Sequence, residues 1–461
     1  MLKPLLVVAV PLGALAALAG AYPSATLPLL VTSAAAFVVT GAADIGARST
    51  RTLDLWLLAF LAAVAVQFVT LPPSLAATLS PHAAALHSTL SLDTGEPLKT
   101  LSIDSELTRA GFASAVAALL VFWSARGVFA RGGLRTVGRT IAIAAAFAAL
   151  VGLAQRVTSP KMLLWTWKPI DPGALPYGPF VNRNHFATWL MMAAALTLGY
   201  VAARIRSRRL LGHKLWRGRI HDVVADGTTL VLVGCAAAIT LGLLSSGSRA
   251  AFVGTCCAVV VAFVISSGKH VPRSSLTFGM GMTVLLVAWA IIANVDLLAT
   301  RFTPGSEVSR TTIWTETLPI VRDFPIVGTG IGTYARAMLI YQQTRSELLF
   351  NQAHNEYLQL VTEGGLLVVI PALGALLSWL VLAWRRLRDD RREMVWMRIG
   401  AASGLFGVAV QCVWESPLRM PANAMLMALL AAVVVHERRS AAETSERRPP
   451  RAIAAGGLAG S

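Results

Sequence analysis

The sequence predicts an all-α, polytopic integral membrane protein with about 12 transmembrane helices. Three observations carry this. Hydrophobic residues make up 55% of the chain and charged residues only 14%, whereas a soluble domain carries roughly 25% charged residues. Apolar runs of bilayer-crossing length, about 17 to 25 residues, recur from end to end. The polar segments between them alternate in basic excess, as loops on opposite sides of one membrane do.

Taken in order, the spans read as 4–21, 25–42, 53–71, 108–124, 140–156, 184–203, 226–245, 250–267, 275–294, 357–384, 399–415 and 422–436, within one transmembrane domain over 1–436. The first also has the make-up of a signal peptide: one Lys, an apolar core, then small residues around AGAYPSA. The loop after the third span, 72–107, holds one Lys against four acids. After the fourth comes ARGVFARGGLRTVGR, with four Arg and no acid; after the sixth, RIRSRRLLGHKLWRGR, with seven Lys or Arg and no acid. GKHVPR follows the eighth span and RRLRDDRREMVWMR the tenth. The long loop 295–356 is balanced, five Arg against six acids. Basic residues concentrate on the cytoplasmic side of membrane proteins, so both termini are expected in the cytoplasm. The loops 72–107 and 295–356 then face outward, and 437–461 forms a disordered cytoplasmic tail.

The net charge of +17 suits that inner-loop bias better than nucleic-acid binding, and no nucleic-acid partner is expected. Cys235, Cys256, Cys257 and Cys412 all fall inside spans, without the spacing of a metal or disulfide framework. In the 295–356 loop, SRTTIWTETLPIV begins with Ser309 as an N-cap and has apolar residues at helical spacing. It is expected to form an amphipathic helix on the membrane surface. In DFPIVGTGIGTY the glycines invite a phosphate-loop reading, but no Lys-Ser or Lys-Thr follows. A tight turn is the expected use.

With this topology the chain's polar residues gather on the outer face. Arg249 lies in the short turn LLSSGSRAAFVG; Arg183 and His185 lie in PYGPFVNRNHFATWL, at the start of the sixth span. Arg301 and Arg310 lie in the large loop, His354 and Glu356 open the tenth span, and Glu363 sits about two turns deeper. Glu415 and Arg419 flank the turn WESPLRMP. Each has a plain reading as an interfacial anchor or cap. As a group, outward-facing arginines run against the inner-loop bias. Arg binds phosphate oxygens in a bidentate, permanently charged way, and His accepts a proton near neutral pH. The set fits a lipid diphosphate leaving group attacked by a sugar hydroxyl, with the arginines stabilising the departing charge and His354 as base. No cofactor and no metal are expected.

Several segments, in order, resemble the O-antigen ligase and polymerase superfamily of bacterial envelope glycosyltransferases: PYGPFVNRNHFATWL, the Ser-Arg turn LSSGSRAAFVG, SRTTIWTETLPIVRDFPIVGTGIGTY, and AHNEYLQLVTEGGLL, together covering roughly 175–385. The resemblance implies a GT-C-like helical fold and metal-independent, inverting transfer from an undecaprenyl diphosphate-linked glycan. The acceptor would be lipid A–core for a ligase or another lipid-linked repeat for a polymerase, and some relatives glycosylate proteins. Carried over by position, Arg249 and Arg310 hold the diphosphate, with weaker claims for Arg301 and Arg183. His354 activates the acceptor, and Glu363 orients its helix or binds sugar. Two other classes stay open from the residues alone. One is a flippase or transporter of lipid-linked glycan, against which stand the absence of repeats and of midplane charge pairs. The other is a non-catalytic assembly protein.

Overall fold

The computed structural model describes residues 2–41, 45–90, 99–170, 173–210, 226–267, 310–344, 349–390 and 394–437. Among them the regular elements are helices, joined by turns and irregular segments with isolated bridges. The helices are α1 (Leu2–Ala16), α2 (Thr26–Thr40), α3 (Arg51–Phe68), α4 (Pro73–Leu79), α5 (Pro81–Leu90), α6 (Ser105–Ala130), α7 (Leu134–Thr158), α8 (Arg183–Leu210), α9 (Gly227–Ser245), α10 (Arg249–Ser267), α11 (Arg310–Asp323), α12 (Tyr334–Tyr341), α13 (Glu356–Asp389), α14 (Val395–Gln411) and α15 (Pro421–Val435). Eight described helices are long and apolar enough to cross a membrane, the one ending at Thr40 together with α3, α6, α7, α8, α9, α10 and α13; α1 and α15 are shorter apolar helices. The expected span 275–294, residues 295–309 with Arg301 and the Ser309 cap, and the tail 438–461 lie outside the described residues.

Leucine against lipid gains nothing, so membrane helices associate by close backbone approach at small residues. α14 is built this way on both sides. A Cβ on Gly400 would lie 2.3 Å from the Ala195 carbonyl oxygen of α8, and one on Gly254 of α10 would lie 2.6 Å from the Gly407 carbonyl oxygen. The outward faces stay apolar: Leu376, Leu377, Val381 and Trp384 of α13 are all exposed, as a lipid-facing surface requires. At one end of the bundle Arg126 of α6 and Asp54 of α3 pair at 2.5 Å while 5% and 2% exposed. There Arg398 also bonds Asp390 at 2.9 Å.

The opposite end carries a cap with its own core. Leu86 of α5, Ile313 and Ile320 of α11, and Tyr334 and Met338 of α12 meet Phe324 and Phe350 in one buried cluster. This corrects the surface-helix expectation. The apolar face of α11 is turned into protein, because the neighbouring helices offer it a core, and not into the bilayer.

Beneath the cap α13 is broken. Gly365 has φ 54° and ψ −169°, a conformation essentially reserved for glycine. The 325–330 segment takes up the freed backbone groups. Leu366 and Leu367 donate to the carbonyls of Pro325 and Ile326 at 2.9 and 2.8 Å, and Thr329 and Gly330 donate to those of Thr362 and Glu363 at 3.1 and 2.9 Å. Gln67 of α3 completes the clasp. Its amide donates to the carbonyls of Val327 and Glu363 at 2.7 and 2.9 Å, and it accepts from Ile331 N–H at 3.1 Å. The first glycine of GTGIG serves this close approach: a Cβ on Gly328 would lie 2.2 Å from the Glu363 carbonyl oxygen.

Candidate active site

The cap end gathers one cluster around a single carboxylate. The expected span 399–415 stops being helical at Gln411, and the chain turns so that Glu415 points inward, 1% exposed. Glu415 Oε1 accepts from Asn184 Nδ2 at 2.8 Å and from Arg310 Nη2 at 2.5 Å. Its Oε2 faces His354 Nδ1 at 3.2 Å. Three segments distant in sequence therefore meet on one anion. Burial pushes the Glu415 carboxyl up, but the hydrogen bond and charge of His354 and the Arg310 guanidinium outweigh it, leaving its pKa below the usual 4.5.

His354 is held by its neighbours. Trp314 Nε1 of α11 donates to the Ala353 carbonyl at 2.9 Å, and the Ala353 N–H donates to Gln359 Oε1 at 3.1 Å. Asn355 caps α13 by accepting from Leu358 N–H at 3.0 Å. Between these fixed points His354 takes φ 49°, a left-handed conformation uncommon for a side-chain-bearing residue and of the kind that collects at functional sites. An ionised carboxylate can only accept, so Nδ1 carries the proton toward Glu415. The other ring nitrogen, Nε2, is then the basic one. The side chain is 30% exposed.

The arginines approach from α8, α10 and α11. Asn182 caps the start of α8, its side-chain oxygen accepting from Asn184 N–H at 2.8 Å, which sets Arg183 and Asn184 in the first turn. Between α9 and α10, Ser246 Oγ accepts from Ser248 N–H at 3.1 Å and Gly247 has φ 63°. This turn presents Arg249 at the exposed first position of α10. A Cβ on Gly247 would lie 3.5 Å from Arg183 Nη1, so the Arg183 guanidinium lies against the turn that carries Arg249. Arg310 is 39% exposed and uses one of its five donors on Glu415.

Glu363 has a different place. It is 0% exposed and pairs with Arg419 through Oε2, while Oε1 accepts from Tyr334 N–H and Gln359 Nε2, each at 3.2 Å. Arg419 also contacts Glu356 at 3.0 Å. Of the two roles the resemblance implied, sugar contact does not fit a carboxylate without accessible surface; holding the segment that carries His354 does. Sequence reading placed Glu415 beside the outer turn without giving it a role. A carboxylate at the end of an apolar span, on a face already rich in Arg and His, was the available signal. Among the described residues no three His, Cys, Asp or Glu side chains group as a metal centre would need.

The cluster can be set beside what is known of related families. Residues 234–373, less than a third of the chain, match the family model described as O-antigen ligase. The match supports the O-antigen ligase and polymerase superfamily. Arg249, Arg310, His354 and Glu363 fall inside the matched O-antigen ligase segment; Arg183 and Glu415 fall outside it. No curated protein matches the chain.

Proposed function

We propose that the protein transfers a glycan from an undecaprenyl diphosphate carrier to an acceptor hydroxyl at the periplasmic face of the bacterial inner membrane. The acceptor is lipid A–core or a second lipid-linked repeat. The observation that carries this is Glu415 holding His354 and Arg310 side by side, with Arg183 and Arg249 on the same rim. His354 Nε2 takes the proton of the acceptor hydroxyl as its oxygen bonds to the anomeric carbon. The bond from that carbon to the diphosphate oxygen breaks, and the electron pair leaves with the diphosphate. Attack from the face opposite the leaving group inverts the anomeric centre. Arg249, Arg310 and Arg183 meet the charge that grows on the diphosphate, with Arg301 assigned to the same group by resemblance. Glu415 fixes the imidazole tautomer and orientation, as a carboxylate does for a histidine base. Glu363 with Arg419 holds the segment on which His354 rides.

The test uses purified protein in nanodiscs with an undecaprenyl diphosphate-linked glycan. His354→Ala and Arg249→Ala should each lower product formation by at least about a hundredfold while the protein stays monodisperse. Normal product from the double variant would overturn the proposal. Supplied with a single lipid-linked repeat and no lipid A–core, a polymerase forms a ladder; a ligase forms product only when lipid A–core is added.

A further inference from the structure

Away from the arginine rim, α1 and α2 enclose an apolar groove of about 780 Å³ lined by Leu6, Gly13, Leu29 and Ala36, with Tyr22 and Trp167 at one end. Trp167 donates its indole N–H to the Tyr22 hydroxyl at 2.8 Å, the two rings meeting edge-on with centroids 5.4 Å apart. Trp167 closes a tight hairpin by bridging to Leu163. Leu164 and Trp165 inside that hairpin sit at φ 47° and 64°, a conformation that bulky side chains resist. Trp165 Nε1 is tied to Thr158 Oγ1 at 2.7 Å, yet Trp165 and Trp167 remain 42% and 46% exposed. Tryptophans placed this way sit at headgroup level in a bilayer.

Among the described residues 154–170 and 17–28, the charged side chains are all basic. Lys161 and Lys168 flank the hairpin and are exposed, and neither 154–170 nor 17–28 contains an Asp or Glu. The rim also lies at the active-site end. A Cβ on Gly20 would lie 2.8 Å from Pro421, two residues past Arg419, and Arg156 of α7 bonds the Ser245 carbonyl, at the end of α9 that leads to Arg249. The groove wall from Leu6 to Ala17 runs about 17 Å at 1.5 Å per residue, roughly half of a hydrocarbon core of about 30 Å. It is therefore one leaflet deep. That suits the acyl chains of a phospholipid, whereas an undecaprenyl chain, several times longer, would overrun it.

We propose that this groove binds an anionic phospholipid of the leaflet next to the active site. Its acyl chain lies between α1 and α2, its glycerol region lies against the Tyr22–Trp167 pair, and its phosphate lies between Lys161 and Lys168. The site rests on the membrane reading of the chain and not on the transfer chemistry, so the two can fail separately.

Native mass spectrometry of the purified protein, titrated with phosphatidylglycerol, phosphatidylcholine or undecaprenyl phosphate, tests this. Gly13→Leu plugs the groove. A Cβ at Gly13 would meet nothing within 4 Å, and Leu is a better helix former than Gly. It should cut phosphatidylglycerol adducts at least fivefold. Val38→Leu, at a position 77% exposed, should not change them. Replacing Lys161 and Lys168 by Gln should keep phosphatidylcholine adducts and reduce the preference for phosphatidylglycerol by about fivefold per lysine. Unchanged phosphatidylglycerol binding in Gly13→Leu, or an unchanged preference in the lysine variant, would overturn the site. Loss of undecaprenyl phosphate adducts alone in Gly13→Leu would also overturn it, by giving the groove to the donor's chain.

Discussion

Glu415 is the residue on which the site's electrostatics turn. It satisfies Asn184, Arg310 and His354 together, so its removal reaches the proposed base and the proposed phosphate clamp at once. Glu415→Gln keeps the volume but can donate from its amide, which lets the imidazole adopt the wrong tautomer and leaves Arg310 facing a neutral partner. Product formation should fall by about 10²- to 10⁴-fold, with the pH–rate profile displaced and the protein still monodisperse; Glu415→Asp should restore part of the rate. An unchanged profile would mean that the carboxylate serves only the fold. The same group sets an acid limit. Its folded pKa lies below the usual 4.5, so it contributes stability above about 4.5, lost as pH falls through the depressed value. Thermal unfolding between pH 7 and 3 should therefore show a steeper acid loss for the native chain than for Glu415→Gln. The sequence singled out the arginines because their charge opposes the inner-loop bias, and His354 because it opens an apolar span beside them. Glu415 was harder to assign because its role depends on three partners more than 60, 100 and 230 residues away.

At the level of elements, apolar length was enough to predict a polytopic helical chain, and eight described helices are long and apolar enough to cross a membrane. The break in α13 was not legible, because Gly364 and Gly365 lie inside an otherwise regular apolar stretch. What makes the break tolerable is a remote segment, 325–330, that supplies the missing hydrogen-bond partners. The GTGIG glycines announced a turn, but not that the turn would embrace another helix. Gly365→Ala forces a Cβ to 2.5 Å from both the Gly328 nitrogen and the Ile326 carbonyl oxygen, in a backbone region that alone costs about 1–3 kcal/mol. The melting temperature in detergent should drop by several degrees. Gly234→Ala, in α9 with nothing within 4 Å of the new methyl, should leave it unchanged or raise it, since Ala is favoured in a helix by about 1 kcal/mol.

For the whole molecule, the two ends of the bundle do different work. One is sealed by buried ion pairs such as Arg126–Asp54. The other carries the cap and the open cluster around Glu415. The predicted orientation puts the cap outside the cell membrane. Gln343 in the cap and Glu437 after α15 are both exposed, so a membrane-impermeant maleimide applied to intact spheroplasts should label Gln343→Cys and spare Glu437→Cys; the reverse pattern would invert the topology and remove the proposed reaction with it. The break at Gly365 then has a mechanical consequence. Residues 356–364 are fastened to the cap, while the rest of α13 runs on to Asp389 with an apolar outward face. Bilayers vary in thickness and long helices respond by tilting. A pivot below the cap lets that arm lean with the membrane, while the imidazole two residues ahead of the helix keeps its aim.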